Sequence, residues 1–283
     1  MSFNYDPKVV ESFGSEWTSF NHLEVSESEL EKLFLDYFRI FPWDILPPNA
    51  VGFDMGCGTG RWAKFVAPRV GILNCIEPSD AIEVAQSMLR DFHNINFFKT
   101  TIDNIDLQAN SQDFGYCLGV LHHIPNTLEG IKSCVALLKP KAPFLVYIYY
   151  KLDNRPFWYL CLWYMTILPR LFISRLPNKV KIFLTDLIAI AIYFPLARLS
   201  YLLEKAGFNV NSLPLSYYRD KTFYTMRVDS RDRFGTPLEK RFSKLEIQHM
   251  LEEAGLENIQ FSDSPPFWTA LGYKKVEIPK FYE

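Results

Sequence analysis

The stretch Val51-Gly52-Phe53-Asp54-Met55-Gly56-Cys57-Gly58-Thr59-Gly60-Arg61-Trp62 decides the reading of this chain. Apolar residues run up to Asp54, three alternating glycines follow, and Trp62, Ala63, Phe65 and Val66 continue at helical spacing. That order is strand, tight glycine-rich turn, helix. Glycines suit such a turn because its backbone takes positive φ and a ligand lies against it without Cβ atoms in the way. The N–H groups that open the following helix then face that ligand.

Outward from this stretch, strands and helices alternate. After the strand at 51–54 and a helix over 60–67, the apolar patterns predict a strand over 72–77, a helix over 79–92 and a strand over 95–100. A strand over 114–118, a helix over 126–138 and a strand over 144–149 come next. Short connections and continuously apolar strands indicate a parallel sheet covered on both faces. Residues 151–240 leave that rhythm. It returns with Ser243 as an N-cap and Glu246 three residues on, a helix closed by Gly255, and strands over 256–262 and 268–274. Upstream, Val9, Val10, Phe13, Trp17 and Phe20 mark an amphipathic helix. Ser26 and Glu29 offer a capping box before a second helix, which Pro42, Pro47 and Pro48 end.

The G-x-G-x-G spacing differs from the G-x-G-x-x-G dinucleotide fingerprint. With Asp54 two residues upstream and Glu77 after the next apolar run, it resembles motif I of the class I S-adenosylmethionine-dependent methyltransferases. The run Asp113 to Ile124, ending Leu121-His122-His123-Ile124, is similar to that family's strand-four motif. The resemblance implies an α/β, Rossmann-like, seven-stranded and mostly parallel sheet whose last strand is antiparallel. N-terminal helices over 1–45 would cover the cofactor site, and 46–150 with 241–283 would form the core. Residues 151–240 would be a mainly helical insertion between strand five and the last helix, acting as a substrate cap.

The same resemblance implies S-adenosylmethionine as cofactor and S-adenosylhomocysteine as product. Backbone of Gly56, Cys57, Gly58 and Gly60 would approach its amino-acid and ribose parts, with Gly119 at the end of strand four. Asp54 would hold the ammonium directly or through water, and Glu77 the ribose hydroxyls. Asp103, with Ile102 beside it and Asp106 as competitor, would reach the adenine, and Trp17 would cover the cofactor. His122 or His123 could act as general base, since imidazole titrates near neutrality; capping a helix or holding the loop is the alternative for each.

A net charge of −2 and a pI near 6.2 give no pull toward nucleic acid. No Asn-Pro-Pro-Tyr run follows strand four. Five scattered cysteines read as reduced, buried thiols, and the polar first ten residues hold no signal-peptide core. A cytoplasmic protein is expected. No acid and histidine cluster has metal-ligand spacing.

The acceptor side is less defined. The apolar run 157–168 is shorter than the roughly 20 residues needed to span a bilayer, and the run 187–197 is short and broken by Pro195. Two readings stand: buried helices of a substrate cap, or helices within 151–200 with an apolar face on the inner membrane surface or a greasy substrate. Arg170, Arg175, Lys179 and Lys181 would suit an anionic surface. Tyr150, Tyr217, Asp229 and Arg233 are candidate substrate contacts, with solvated loop charges as the alternative. The expected reaction is in-line methyl transfer to an oxygen, or a carbon, of a small-molecule, saccharide or lipid-linked acceptor. A non-catalytic S-adenosylmethionine-binding partner or sensor is the alternative, and a nicotinamide-dependent oxidoreductase is disfavoured by the glycine spacing.

Overall fold

The computed structural model describes residues 4–19, with backbone only at 12 and 15–19, and residues 25–236 and 238–276. Its elements run in the order α1 (Pro7–Ser19), α2 (Glu27–Tyr37), β1 (Val51–Met55), α3 (Ala63–Val66), β2 (Ile72–Ile76), α4 (Ala81–Met88), β3 (Ile95–Phe98), β4 (Phe114–Leu118), α5 (Thr127–Leu137) and β5 (Pro143–Tyr147). The four helices α6 (Phe157–Ile173), α7 (Asn178–Ile188), α8 (Phe194–Lys205) and α9 (Phe223–Gly235) follow, then α10 (Lys244–Glu253), β6 (Leu256–Phe261) and β7 (Thr269–Lys274).

The seven strands form one sheet in the order β3-β2-β1-β4-β5-β7-β6. All pairings are parallel except those of β7, which runs antiparallel to both β5 and β6. Strand order reverses between β1 and β4, where open α/β sheets bind ligands at the carboxyl ends. The alternation predicts the parallel strands of this fold, and the family resemblance its reversed last strand.

Two reciprocal contacts hold β1 to β4. Gly52 pairs with Phe114 and Phe53 with Gly115. A Cβ on Gly52 would lie 2.2 Å from the Phe114 ring, and one on Gly115 2.2 Å from the Phe53 ring. Each aromatic therefore lies flat over its partner glycine. Phe53, Phe114 and Phe144 are fully buried, each worth about 1.5–3 kcal/mol of apolar burial. The core continues through Leu121, Ile131, Ile247 and Leu256 from the helices and β6.

Caps set the helix ends. Asn126 accepts from the Glu129 N–H at 3.2 Å. Ser243 and Glu246 make a complete box, the Ser243 N–H donating to Glu246 Oε2 at 2.7 Å. The box expected at Ser26 is half made. Its Oγ accepts from the Glu29 N–H at 3.2 Å, but the Glu29 carboxylate accepts instead from Thr222 N–H at 3.1 Å and Thr225 Oγ1 at 2.7 Å.

The chain divides into two compact units, one holding the sheet and the other residues 22–29 and 152–239. The second unit has its own cluster, in which Ile173, Tyr193, Ala197, Tyr218, Met226 and Phe234 are buried. Two sequence expectations change there. The charges around Asp229 sit on α9 rather than on a loop. The run around Pro195 is no short segment, because α7, a π turn (Ala189–Tyr193) and α8 join into one helix of 28 residues, Asn178–Lys205. The wider π turn removes the clash that Pro195 would make with the preceding carbonyls.

Candidate active site

The glycine loop after β1 has the backbone its sequence demands. Gly56, Gly58 and Gly60 take φ values of 78°, 53° and 78°, which side chains with a Cβ rarely adopt. Packing adds a second constraint: a Cβ on Gly56 would fall 2.3 Å from Val120 Cγ2. The loop is tied to the next strand, with Gly56 and Cys57 N–H groups donating to the Ile76 carbonyl at 2.8 and 3.0 Å. The helix expected to start at 60 is reduced to the single turn of α3, beginning at Ala63. A helix terminus therefore contributes little here, and the loop backbone itself lines the site.

Two acids end β1 and follow β2. Asp54 is buried and accepts from the Tyr116 hydroxyl at 2.9 Å. Burial pushes its carboxyl up to about 7, helped by the nearby Glu77 charge and opposed by Tyr116 and Arg61. Glu77, also buried, accepts from the Gly58 N–H at 3.1 Å through Oε2, and from Ser79 N–H and Oγ at 3.0 and 2.6 Å through Oε1. Burial raises its carboxyl too, against those three hydrogen bonds. Of about four lone-pair sites on a carboxylate, Glu77 keeps one on Oε2.

Asp103 is exposed beside the buried Ile102. Burial pushes its carboxyl up, but hydrogen bonds from the Asn4 N–H and Thr101 outweigh it and hold the group below its ordinary value. Asn4 also exchanges two hydrogen bonds with the backbone of Asn126, at 2.8 and 2.7 Å. This N-terminal clamp was not foreseen, since a lone asparagine carries no local signal. Gly119 ends β4 with φ 83°, and a Cβ there would meet nothing within 4 Å.

The two histidines form a 3₁₀ turn after β4 (Leu121–His123) and are both buried. The His122 ring stacks on Tyr149 (centroids 3.9 Å apart) and lies 4.0 Å from the His123 ring. Burial, with His123 and Arg241 adding to it, holds the His122 imidazole well below its usual range. Its Nδ1 faces the Tyr149 N–H at 3.4 Å, so the neutral ring carries its proton on Nε2. Phe13 of α1 sets its ring edge-on to His123 at 4.8 Å. One residue on, a Cβ at Gly14 would lie 3.2 Å from Ser79 Cβ. Helix α1 thus crosses from the Glu77 side to the histidines, while the side chain of Trp17 lies outside the described residues.

Of the four acceptor-side candidates, Tyr217, Asp229 and Arg233 lie in the helical unit and Tyr150 in the sheet unit. Tyr150 packs in the sheet unit against Phe267 and Trp268. Tyr217, in the helical unit, stands edge-on to Tyr218 with Lys221 over its ring. Asp229 accepts from the Tyr193 hydroxyl at 2.8 Å and faces Arg233 at 3.5 Å. Tyr193 and Tyr218, both buried, belong to this Asp229 network. Their place in it was hidden because Tyr193 sits in the middle of an apolar run. Among the described residues no group of three acids, histidines or cysteines is arranged to hold a metal.

Comparison with known proteins bears on the core. Residues 53–141 match the methyltransferase domain family. A ubiquinone biosynthesis O-methyltransferase of Saccharophagus degradans is 34% identical over 90 residues, 31% of this chain and 38% of its own length. One from Vibrio vulnificus is 29% identical over 143 residues, 48% of this chain and 60% of its own. The chain therefore spans less than two thirds of the curated relatives it matches. Among solved structures, a chain of the Haloferax volcanii complex between the Trm112 methyltransferase activator and a methyltransferase superposes with TM-score 0.53 at 12% identity, covering 95% of this chain and 99% of that one. At that identity the likeness is one of fold.

Proposed function

We propose, from the premise that residues 53–141 belong to the class I S-adenosylmethionine-dependent methyltransferase family, that this protein transfers a methyl group to an oxygen of a small-molecule acceptor. The carrying observation is the 3.1 Å hydrogen bond from Gly58 N–H to Glu77, which couples the glycine loop to a buried acid next to Asp54. The residues present fit S-adenosylmethionine. Asp54 suits an ammonium, Glu77 a ribose hydroxyl, and the open space at Gly119 leaves room for a ligand against the backbone. A dinucleotide would set its diphosphate beside two buried acids, which like-charge repulsion disfavours.

Bound there, S-adenosylmethionine supplies an electrophilic methyl group on a sulfonium. Asp54 accepts from the ammonium, and Glu77 offers its remaining Oε2 lone pair while keeping the loop in place. Asp103, already fixed by Asn4, accepts from the adenine amino group beside Ile102. His123 takes the acceptor's proton. His122, neutral and with its proton on Nε2, is a positioning residue that stacks on Tyr149 and packs its ring against His123. On the acceptor side, Tyr150, Tyr217, Asp229 and Arg233 are the proposed contacts. The relatives named for ubiquinone biosynthesis favour oxygen over carbon as the atom methylated; saccharide and lipid-linked acceptors fit the same reading.

Calorimetry with S-adenosylhomocysteine and with NAD tests the cofactor assignment. Binding of the first and not the second is expected, and the reverse overturns the reading. A labelled-methyl screen of host extract, split into lipid and aqueous pools, then identifies the acceptor. The burial of both imidazoles favours one second reading, a partner or sensor that binds the cofactor without turnover. Cofactor binding with no label transferred to either pool would select it.

A further inference from the structure

The helical unit exposes its apolar side chains. Of the 23 large apolar residues exposed among the described residues, 17 lie between Phe157 and Phe208. A monomeric soluble protein rarely gathers so many in one region without a use for them. The long helix Asn178–Lys205 shows why they are there. Its outward row is Phe183, Leu187, Ile190 and Phe194, each at least 41% exposed. Its inward row holds Lys181, Thr185, Ala189, Tyr193, Ala197 and Ser200, each at most 6% exposed.

A surface helix in water keeps its large apolar side chains on the core side, whereas here Leu184, Ile188, Ala189 and Ala197 pack inward and a second, large apolar row faces out. Thr185 and Tyr193 of the inward row are satisfied from within the unit. Thr185 Oγ1 donates to the Lys181 carbonyl at 2.9 Å, and Ser230 Oγ to the Thr185 carbonyl at 2.8 Å. Tyr193 reaches Asp229, and Asp186 takes a two-pronged pair from Arg227 at 3.0 and 2.9 Å. The charged helix α9 supplies these partners, and α6 and α7 both pack on it. Helix α6 turns a similar stripe outward through Phe157, Met165, Leu168 and Phe172, each at least 66% exposed. Its only charge, Arg170, turns inward to the Thr236 carbonyl at 3.1 Å.

Where α6 gives way to the long helix, Arg175 and, in that helix's first turn, Lys179 are exposed beside Phe172 and Val180. We propose that the outward faces of α6 and of the Asn178–Lys205 helix lie in one leaflet of a lipid bilayer, with Arg175 and Lys179 on anionic headgroups. Lipid fits better than a protein partner. An interface between proteins carries about one hydrogen bond per 100–200 Å², and the row Phe183, Leu187, Ile190, Phe194 has no side-chain donor or acceptor. Cations at the end of an apolar face match an anionic membrane surface, and exposed Trp158 and Tyr164 suit the headgroup level. By length and composition the 28-residue helix could cross a bilayer. Its inward row is committed to α9, so it meets lipid on one side only. The inference stands independently of methyl transfer.

Sedimentation of the full-length protein with phosphatidylcholine vesicles, with and without phosphatidylglycerol, tests it. Binding to the anionic vesicles at low salt, weakened by high salt, is expected. F172S/F183S should weaken that binding about tenfold or more by removing apolar contact. R175Q/K179Q should weaken it about fivefold per cation removed while leaving residual binding. L168S/L202S, on the same faces, serves as second variant if circular dichroism shows the first to be misfolded. Wild-type protein left in the supernatant with anionic vesicles, or serine variants that bind as tightly as wild type, overturn the proposal. So does light scattering that shows a dimer which F172S/F183S converts to monomer, because a second copy would then cover the face.

Discussion

Asp54 is the residue on which the site's pH behaviour turns. Burial raises its carboxyl from 3.8 to about 7, so the ligand-free protein holds a proton there that an unfolded chain has already released. The contribution of Asp54 to the stability of the ligand-free protein should therefore fall as pH rises from about 4 to about 7, while that of His122, held neutral, runs the other way. A cationic ligand reverses the preference by favouring the carboxylate. Affinity for S-adenosylhomocysteine should rise with pH by up to about tenfold per unit below 7 and level off above it. Calorimetry at pH 6, 7 and 8 reads this directly. Asp54→Asn should bind weakly and without that slope; a slope that survives the substitution assigns the titration to another group. At the histidines, His123→Ala should lower kcat by about 10²–10⁴ with S-adenosylhomocysteine binding unchanged. His122→Ala should lower the melting temperature, since it leaves a cavity under Tyr149, and should change kcat less. Equal kcat losses in the two variants would remove the division of roles.

At the scale of elements, α1 is the part that touches both Ser79 and His123. Gly14 lets it approach Ser79, the residue that holds Glu77, and Phe13 brings it against His123. Gly14→Val should push α1 away from Ser79 without touching the sheet. The expected result is about a tenfold loss of S-adenosylhomocysteine affinity, from disturbed hydrogen bonds worth about 1 kcal/mol each, with the sheet unit's melting temperature nearly unchanged. A variant with wild-type affinity would show that α1 packing and cofactor binding are unconnected. The glycine loop, by contrast, needs no helix to shape it, since α3 is a single turn.

For the whole molecule, two separate clusters of buried side chains predict two folding units. One centres on Phe53, Phe144 and Leu121, the other on Tyr193, Met226 and Phe234. Scanning calorimetry should resolve two transitions. S-adenosylhomocysteine should raise only that of the sheet unit, by about 2.7 kcal/mol of stability at a hundred times its dissociation constant. A single transition that moves as one with ligand would show the units to be thermodynamically inseparable.

What the chain announced about itself was local or periodic. Three glycines at alternate positions permit the positive φ of a tight turn, and continuous apolar strands separated by helical runs favour a parallel sheet, so motif and fold were both legible from Asp54 to Tyr147. Ser243 was readable as a cap because capping is a matter of three residues. The carboxylate of Glu29 was not, because Thr222 and Thr225 compete for it from nearly two hundred positions away. Asn4 on Asp103, the burial of His122 and the reciprocal rings over Gly52 and Gly115 are likewise contacts between distant segments. The helix around Pro195 shows the limit most clearly. Its residues read as a short broken run, because periodicity tells which side chains share a face but not which face meets the protein. Tertiary structure decided that, by turning Thr185, Tyr193 and Asp186 toward the charges of α9 and leaving Phe183, Leu187 and Ile190 outside. The glycine loop after Asp54 could be read alone; the outward face of that helix could not.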